Sequence, residues 1–170
     1  MIFKRLALTP LALMLISAVP VKDTDASKML AKLALLTGKW QGSLTWTGAR
    51  QGTDKIEADY QVSRFGGSVR EDWIIDGKPY MTSVYHLDGA DLRVTHFCVE
   101  SQPRLIADHI DLTSTNAHFK LVDVTNAGPT AGFVDEISIA NPDLNRLQVK
   151  FVFHGNGPRS IETMDVHRVA

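Results

Sequence analysis

From Gly38 to Arg168 the chain alternates apolar and polar positions with a period of two. Trp40, Gly42, Leu44 and Trp46 stand against Lys39, Gln41, Ser43 and Thr45, and Ile56, Ala58, Tyr60 and Val62 against Lys55, Glu57, Asp59 and Gln61. Successive side chains of a strand point to opposite faces, so this rhythm predicts strands with one buried side. Turn-forming clusters recur at near-regular intervals, at Gly48-Ala49-Arg50, Gly66-Gly67, Asp76-Gly77-Lys78-Pro79, Asp88-Gly89, Asn126 to Pro129, Asn141-Pro142-Asp143 and Gly155-Asn156-Gly157-Pro158. Between them lie about nine or ten runs, the spacing of antiparallel hairpins closed into a barrel or folded as a sandwich. Ahead of the strands, Met29, Leu30, Leu33, Leu35 and Leu36 follow Asp25-Ala26-Ser27 at helical spacing and stop at Gly38. One short helix is expected there, over about 27–36.

The N-terminal segment has a different pattern. Lys4 and Arg5 precede an uncharged run from Leu6 to Val19, which ends at Pro20 and the polar Lys22-Asp23-Thr24-Asp25. This is the layout of a secretory signal peptide over about 1–20, with cleavage near 18–26. The run is shorter than the ~20 apolar residues a membrane-crossing helix needs, so no stable membrane anchor is expected. No Cys follows it to carry a lipid. The expected mature protein is periplasmic or secreted, a single domain over 27–170.

Composition narrows the partners. The 170 residues carry 18 Lys+Arg against 19 Asp+Glu, a formal charge of −1, and loss of Lys4 and Arg5 with the leader takes it to −3. No global basic field exists to neutralise phosphates, and nucleic acid is not an expected partner. Cys98 is the single cysteine, so no intramolecular disulfide can form and packing must supply the stability.

Two stretches carry a resemblance. Gly38-Lys39-Trp40, opening the first strand after a short helix, resembles the start of the lipocalin or calycin barrels, in which that Trp plugs one end and a late Arg covers its ring; the Arg of the final strand here is Arg168. Mid-chain, Tyr85-His86-Leu87-Asp88-Gly89, then Leu92, Val94, Thr95-His96-Phe97-Cys98 and Gln102-Pro103-Arg104, are similar to a family of uncharacterised bacterial exported proteins of lipocalin-like type, as is Val122-Asp123-Val124-Thr125-Asn126. The chain departs from that family at Ser101, where Asn is usual, and lacks its H-M-H stretch within 128–145. The resemblance implies an all-β, antiparallel up-and-down barrel of about nine or ten strands with Trp40 and Arg168 as its closure. No activity comes with it.

If the Asp88-Gly89-Ala90-Asp91 turn pairs Leu87 with Leu92, then Met81, Ser83, Tyr85 and Leu87 share a face with Leu92, Val94, His96 and Cys98. That set is the more apolar and is expected inside. On the preceding strand the face bearing Trp73 also bears Glu71, and a buried carboxylate must find a partner or keep its proton; Arg104 or His96 could serve. The expected interior lining is Trp46, Tyr60, Trp73, Tyr85, Val94, Cys98, Phe151 and Phe153, with Glu71, His96 and Arg104 orienting a small apolar or amphipathic molecule. Each has a plainer role available: His96 as a satisfied core histidine, Cys98 as a small hydrophobe, Glu71 as half of an internal ion pair.

A different reading makes the protein a small extracytoplasmic isomerase or hydrolase. His96 or Glu71 would then move a proton while Tyr85 or Arg104 steadies negative charge. A third makes it a structural or partner-binding barrel. The sequence holds no H-E-x-x-H, Cys pair, Walker loop or G-x-S-x-G, and its six His are scattered over different strands, so no metal is expected. Some small barrels hold haem through a His near the last strand, where His167 sits, but His167 alternates with Met164 and Val166 onto the outer side, and no haem is expected either.

Overall fold

The computed structural model describes residues 23–98, 101–128, 132–155 and 157–169. The expected leader and its cleavage region up to residue 22 lie outside them. Helix α1 spans Asp25–Ala34, two residues earlier than its apolar stripe suggests, because Thr24 and Ser27 form a reciprocal cap on each other's backbone N–H. Its buried side, Ala26, Met29, Leu30 and Leu33, faces the strands.

Ten strands follow: β1 Gly38–Gly48, β2 Gly52–Val62, β3 Ser68–Ile75, β4 Lys78–Asp88, β5 Asp91–Cys98, β6 Gln102–Asp111, β7 Asn116–Thr125, β8 Phe133–Asp143, β9 Arg146–His154 and β10 Ser160–Arg168. Each pairs antiparallel with its neighbours in sequence, and β10 pairs with β1, so the sheet closes on itself without an edge. Over the described residues the fold is an all-β, up-and-down barrel of ten strands preceded by one short helix. Leu87 pairs with Leu92, and the β4–β5 register runs on from it to Met81 and Cys98, which is the pairing read from the sequence.

α1 packs against β2 to β6 and stops one end of the barrel. Trp40 is fully buried there, donating its indole N–H to the Leu36 carbonyl at 2.9 Å. Arg168 lies over the Trp40 ring, 4.3 Å from its centroid, and donates to the Thr37 and Leu35 carbonyls at 2.8 and 3.0 Å. One guanidinium thus ties the last strand to the helix exit and the first strand. β1 and β10 meet most closely at Gly42, where a Cβ would sit 2.1 Å from the Asp165 carbonyl oxygen. Only glycine fits that approach.

Candidate functional site

Strand direction sorts the interior into levels. β2 ends and β3 begins at the α1 end, which places Tyr60, Glu71 and Tyr85 next to the helix plug. Trp73, His96 and Phe151 come next. Trp46, Met81, Cys98, Phe153 and Glu162 lie toward the opposite end, the mouth.

Near the plug, Glu71 is fully buried. Tyr60 donates its hydroxyl to Glu71 Oε1, Trp73 Nε1 donates to the same oxygen at 2.8 Å, and Tyr85 donates to Oε2 at 2.7 Å. Burial pushes the carboxyl above its ordinary value, and these donors offset part of that. Both tyrosines are driven well above the ordinary phenol range, first by burial and then by the Glu71 charge. The sequence offered Arg104 or His96 as the partner of Glu71; the partners are instead three aromatic donors. Arg104 is placed on the outside, because Pro103 and Leu105 take the inward positions of β6 and leave Arg104 opposite Asp123 of β7. There it forms a two-pronged ion pair with Asp123, both N···O distances 2.6 Å, at a side-chain exposure of 54%. It does not reach the lumen, so the expectation that it orients an internal molecule is corrected.

The middle level spans the lumen. Trp73 of β3 stacks flat on Phe151 of β9, ring centroids 4.5 Å apart and 9° from parallel, and His96 of β5 meets the same ring edge-on at 4.6 Å. These strands are not sheet neighbours, so the contacts cross the barrel. His96 and Ser83 face each other across the β4–β5 pair, and Nδ1 shares a 3.0 Å hydrogen bond with Ser83 Oγ. His96 is fully buried, its Nε2 has no partner, and burial lowers its pKa to about 3. Val94 lies one inward position nearer the plug, fully buried.

The mouth level holds a residue the sequence reading passed over. Glu162 alternates with Met164 and Val166, so the same parity that sends His167 outward sends Glu162 in. It is 0% exposed, and among the described residues neither carboxylate oxygen has a hydrogen-bond partner. Its cross-strand neighbours are Trp46 on β1 and Phe151 on β9. Trp46 packs on Phe153 at 5.1 Å, its indole N–H unpartnered, and the Arg50 guanidinium sits 4.0 Å from the centre of its ring. Opposite β3 the register skips Tyr80, since Trp73 pairs with Met81 and Ile74 with Pro79, and this bulge leaves Tyr80 half-buried near Glu162. Burial pushes Glu162 up to about 8, partly offset by Tyr80 and Arg50. Cys98, half-buried, is raised to about 11 by burial and then by the Glu162 charge.

Hollows also open on the outer wall. One of about 440 Å³ is lined by Gln41, Gly42, Lys55, Ile56, Glu57 and His167. Another of about 340 Å³ includes Arg104, Asp123 and His86. Exposed charged side chains rim the first, and His167 is on that outer face. The candidate site is therefore the mouth-side interior above the Trp73–Phe151–His96 layer, where Glu162 is the one buried carboxylate among the described residues.

No protein-family model and no curated protein matches the chain. Among solved structures it is similar to Rv2717c from M. tuberculosis, with 17% identity and a TM-score of 0.60 over 84% of this chain and 98% of that one. A redesigned β-barrel is more distantly similar, at 13% identity and a TM-score of 0.36, over 81% of this chain and 95% of that one. The first likeness extends to the fold alone.

Proposed function

We propose that this barrel is an exported carrier that holds a small apolar or amphipathic molecule in the mouth side of its interior, of the lipocalin-like type its sequence resembles. The observation that carries the reading is the set of buried polar atoms without partners among the described residues in the middle layer and on its mouth side: His96 Nε2, Trp46 Nε1 and both oxygens of Glu162. Leaving such a group unpaired costs about 1–3 kcal/mol each, and folded proteins keep few of them. Here several converge among the rings of Trp46, Trp73, Phe151 and Phe153. A guest that buries apolar surface against those rings and meets one or more of the polar atoms recovers that cost.

The acid–base reading fits the geometry less well. Both oxygens of Glu71 are engaged by donors, and a histidine held at about 3 is far from the near-neutral value a proton shuttle needs. Native mass spectrometry of the full-length protein, purified gently from its own cells, is the direct test of carriage. A retained small-molecule mass that is lost on denaturation is expected. Bare protein, together with no quenching of tryptophan fluorescence by N-phenyl-1-naphthylamine, would refute it.

A further inference from the structure

The geometry points to a preference for an organic cation: we propose that Glu162 and the aromatic rings around it recognise the ammonium group of a small amine whose apolar part rests on the Trp73–Phe151–His96 layer. This rests on the carrier reading above and specifies its guest. Two independent features support it. Glu162 is fully buried, and among the described residues its oxygens form no hydrogen bond or ion pair; a buried carboxylate left without such a partner is the costliest of the unpaired groups in the lumen. The rings beside it are Trp46 and Phe151, adjacent in register, with Phe153 packed on Trp46. Aromatic faces attract ammonium and guanidinium groups through the ring quadrupole, and do so more strongly when water is excluded. Trp46 already shows this affinity: the Arg50 guanidinium rests on its face 4.0 Å from the ring centre. An anionic guest meets the opposite situation, a buried carboxylate whose nearby cation, Arg50, is engaged on the Trp46 ring.

The groups that act on Glu162 from the surrounding elements are Tyr80 on β4, Arg50 in the β1–β2 turn and Asp54 on β2, and Glu162 in turn acts on Cys98 at the end of β5. Burial holds the Glu162 carboxyl at about 8, so below that pH a cation must displace a proton to bind. Affinity for an amine should therefore rise nearly tenfold per pH unit between pH 6 and 7 and level off above about pH 9. Close to one proton should be released per cation bound at pH 7.

Benzyltrimethylammonium, benzyl alcohol and benzoate each carry one phenyl ring and differ in charge. They can be titrated into the full-length protein by calorimetry in buffers of different ionisation enthalpy, at pH 6, 7, 8 and 9. The expected result is ammonium binding at least tenfold tighter than alcohol at pH 8, with the stated pH dependence and proton release. Glu162→Gln should remove the preference and the pH dependence while retaining alcohol binding. Equal affinity for the three probes, or a preference for benzoate, overturns the cation assignment and leaves the carrier reading standing. Binding of none of the three overturns the carrier reading as well. The pH series on the unaltered protein decides the matter even if the variant does not fold.

Discussion

Glu162 makes a measurable demand on the fold itself. In the unfolded chain its carboxyl titrates near 4.5, whereas inside the mouth burial holds it at about 8. The native state thus binds this proton more tightly than the unfolded state. The contribution of this group to stability is complete below pH 4.5 and is lost as the pH climbs through 8. At about 1.4 kcal/mol per pH unit, the full loss is on the order of 5 kcal/mol, a large share of the ~5–15 kcal/mol that holds a typical domain together. Glu162→Gln keeps the shape and removes the titration. Urea unfolding followed by tryptophan fluorescence, run from pH 4 to 9 on both proteins, gives the difference directly. The two should be close near pH 4, and the variant should gain steadily until it leads by up to about 5 kcal/mol above pH 8. Glu71, whose carboxyl is raised as well, is present in both proteins and cancels. Two stability curves that remain parallel across this range would refute the claim that burial raises the Glu162 carboxyl.

Four further outcomes follow from other contacts. His96, lowered to about 3, favours the fold above pH 6.5 and loses that contribution as the pH drops toward 3, so His96→Phe should flatten the acid limb by on the order of 5 kcal/mol in the same urea series. Tyr85→Phe strips Glu71 Oε2 of its donor and should cost about 1–3 kcal/mol at pH 6, read from the shift in urea midpoint. Arg168→Ala removes the cover of Trp40 and three carbonyl contacts; a loss of about 2 kcal/mol is expected, with faster hydrogen exchange at the Trp40 indole as the local readout. Gly42→Ala forces a Cβ against the Asp165 carbonyl and should lower the melting temperature sharply, whereas Gly67→Ala, with open space at its Cβ, should leave it nearly unchanged.

Much of the architecture was legible because barrels advertise themselves through parity. Alternation around Trp40, Trp73 and Tyr85, with turns at Asp76-Gly77 and Asp88-Gly89, is enough to specify strands, register and inward face. The resemblance of Gly38-Lys39-Trp40 to the start of lipocalin barrels, not alternation, put Trp40 and Arg168 together. Partner choice was not legible, since it depends on which strands face one another across the lumen. Pairing Glu71 with Arg104 looked reasonable by charge, yet β6 turns Pro103 and Leu105 inward, and the neighbours of Glu71 are hydroxyls and an indole N–H from β2, β3 and β4. Glu162 could have been found, as it shares parity with Met164 and Val166, but a single Glu in a polar-looking strand start draws no attention until Trp46 is seen beside it. Tyr80 depended on a bulge that no alternation rule signals.

Pairing of β1 with β10 joins the two most distant parts of the chain, and this governs how the molecule can assemble. Hairpins along the way can form as soon as they are synthesised, but the final seam waits for the C-terminus, an arrangement expected to fold slowly. Until Arg168 arrives, the sheet has two raw margins that can recruit strands from other molecules. A product cut short before β10 would forfeit more than one strand: it would keep nine and expose both borders, and it would be prone to clump with its own kind.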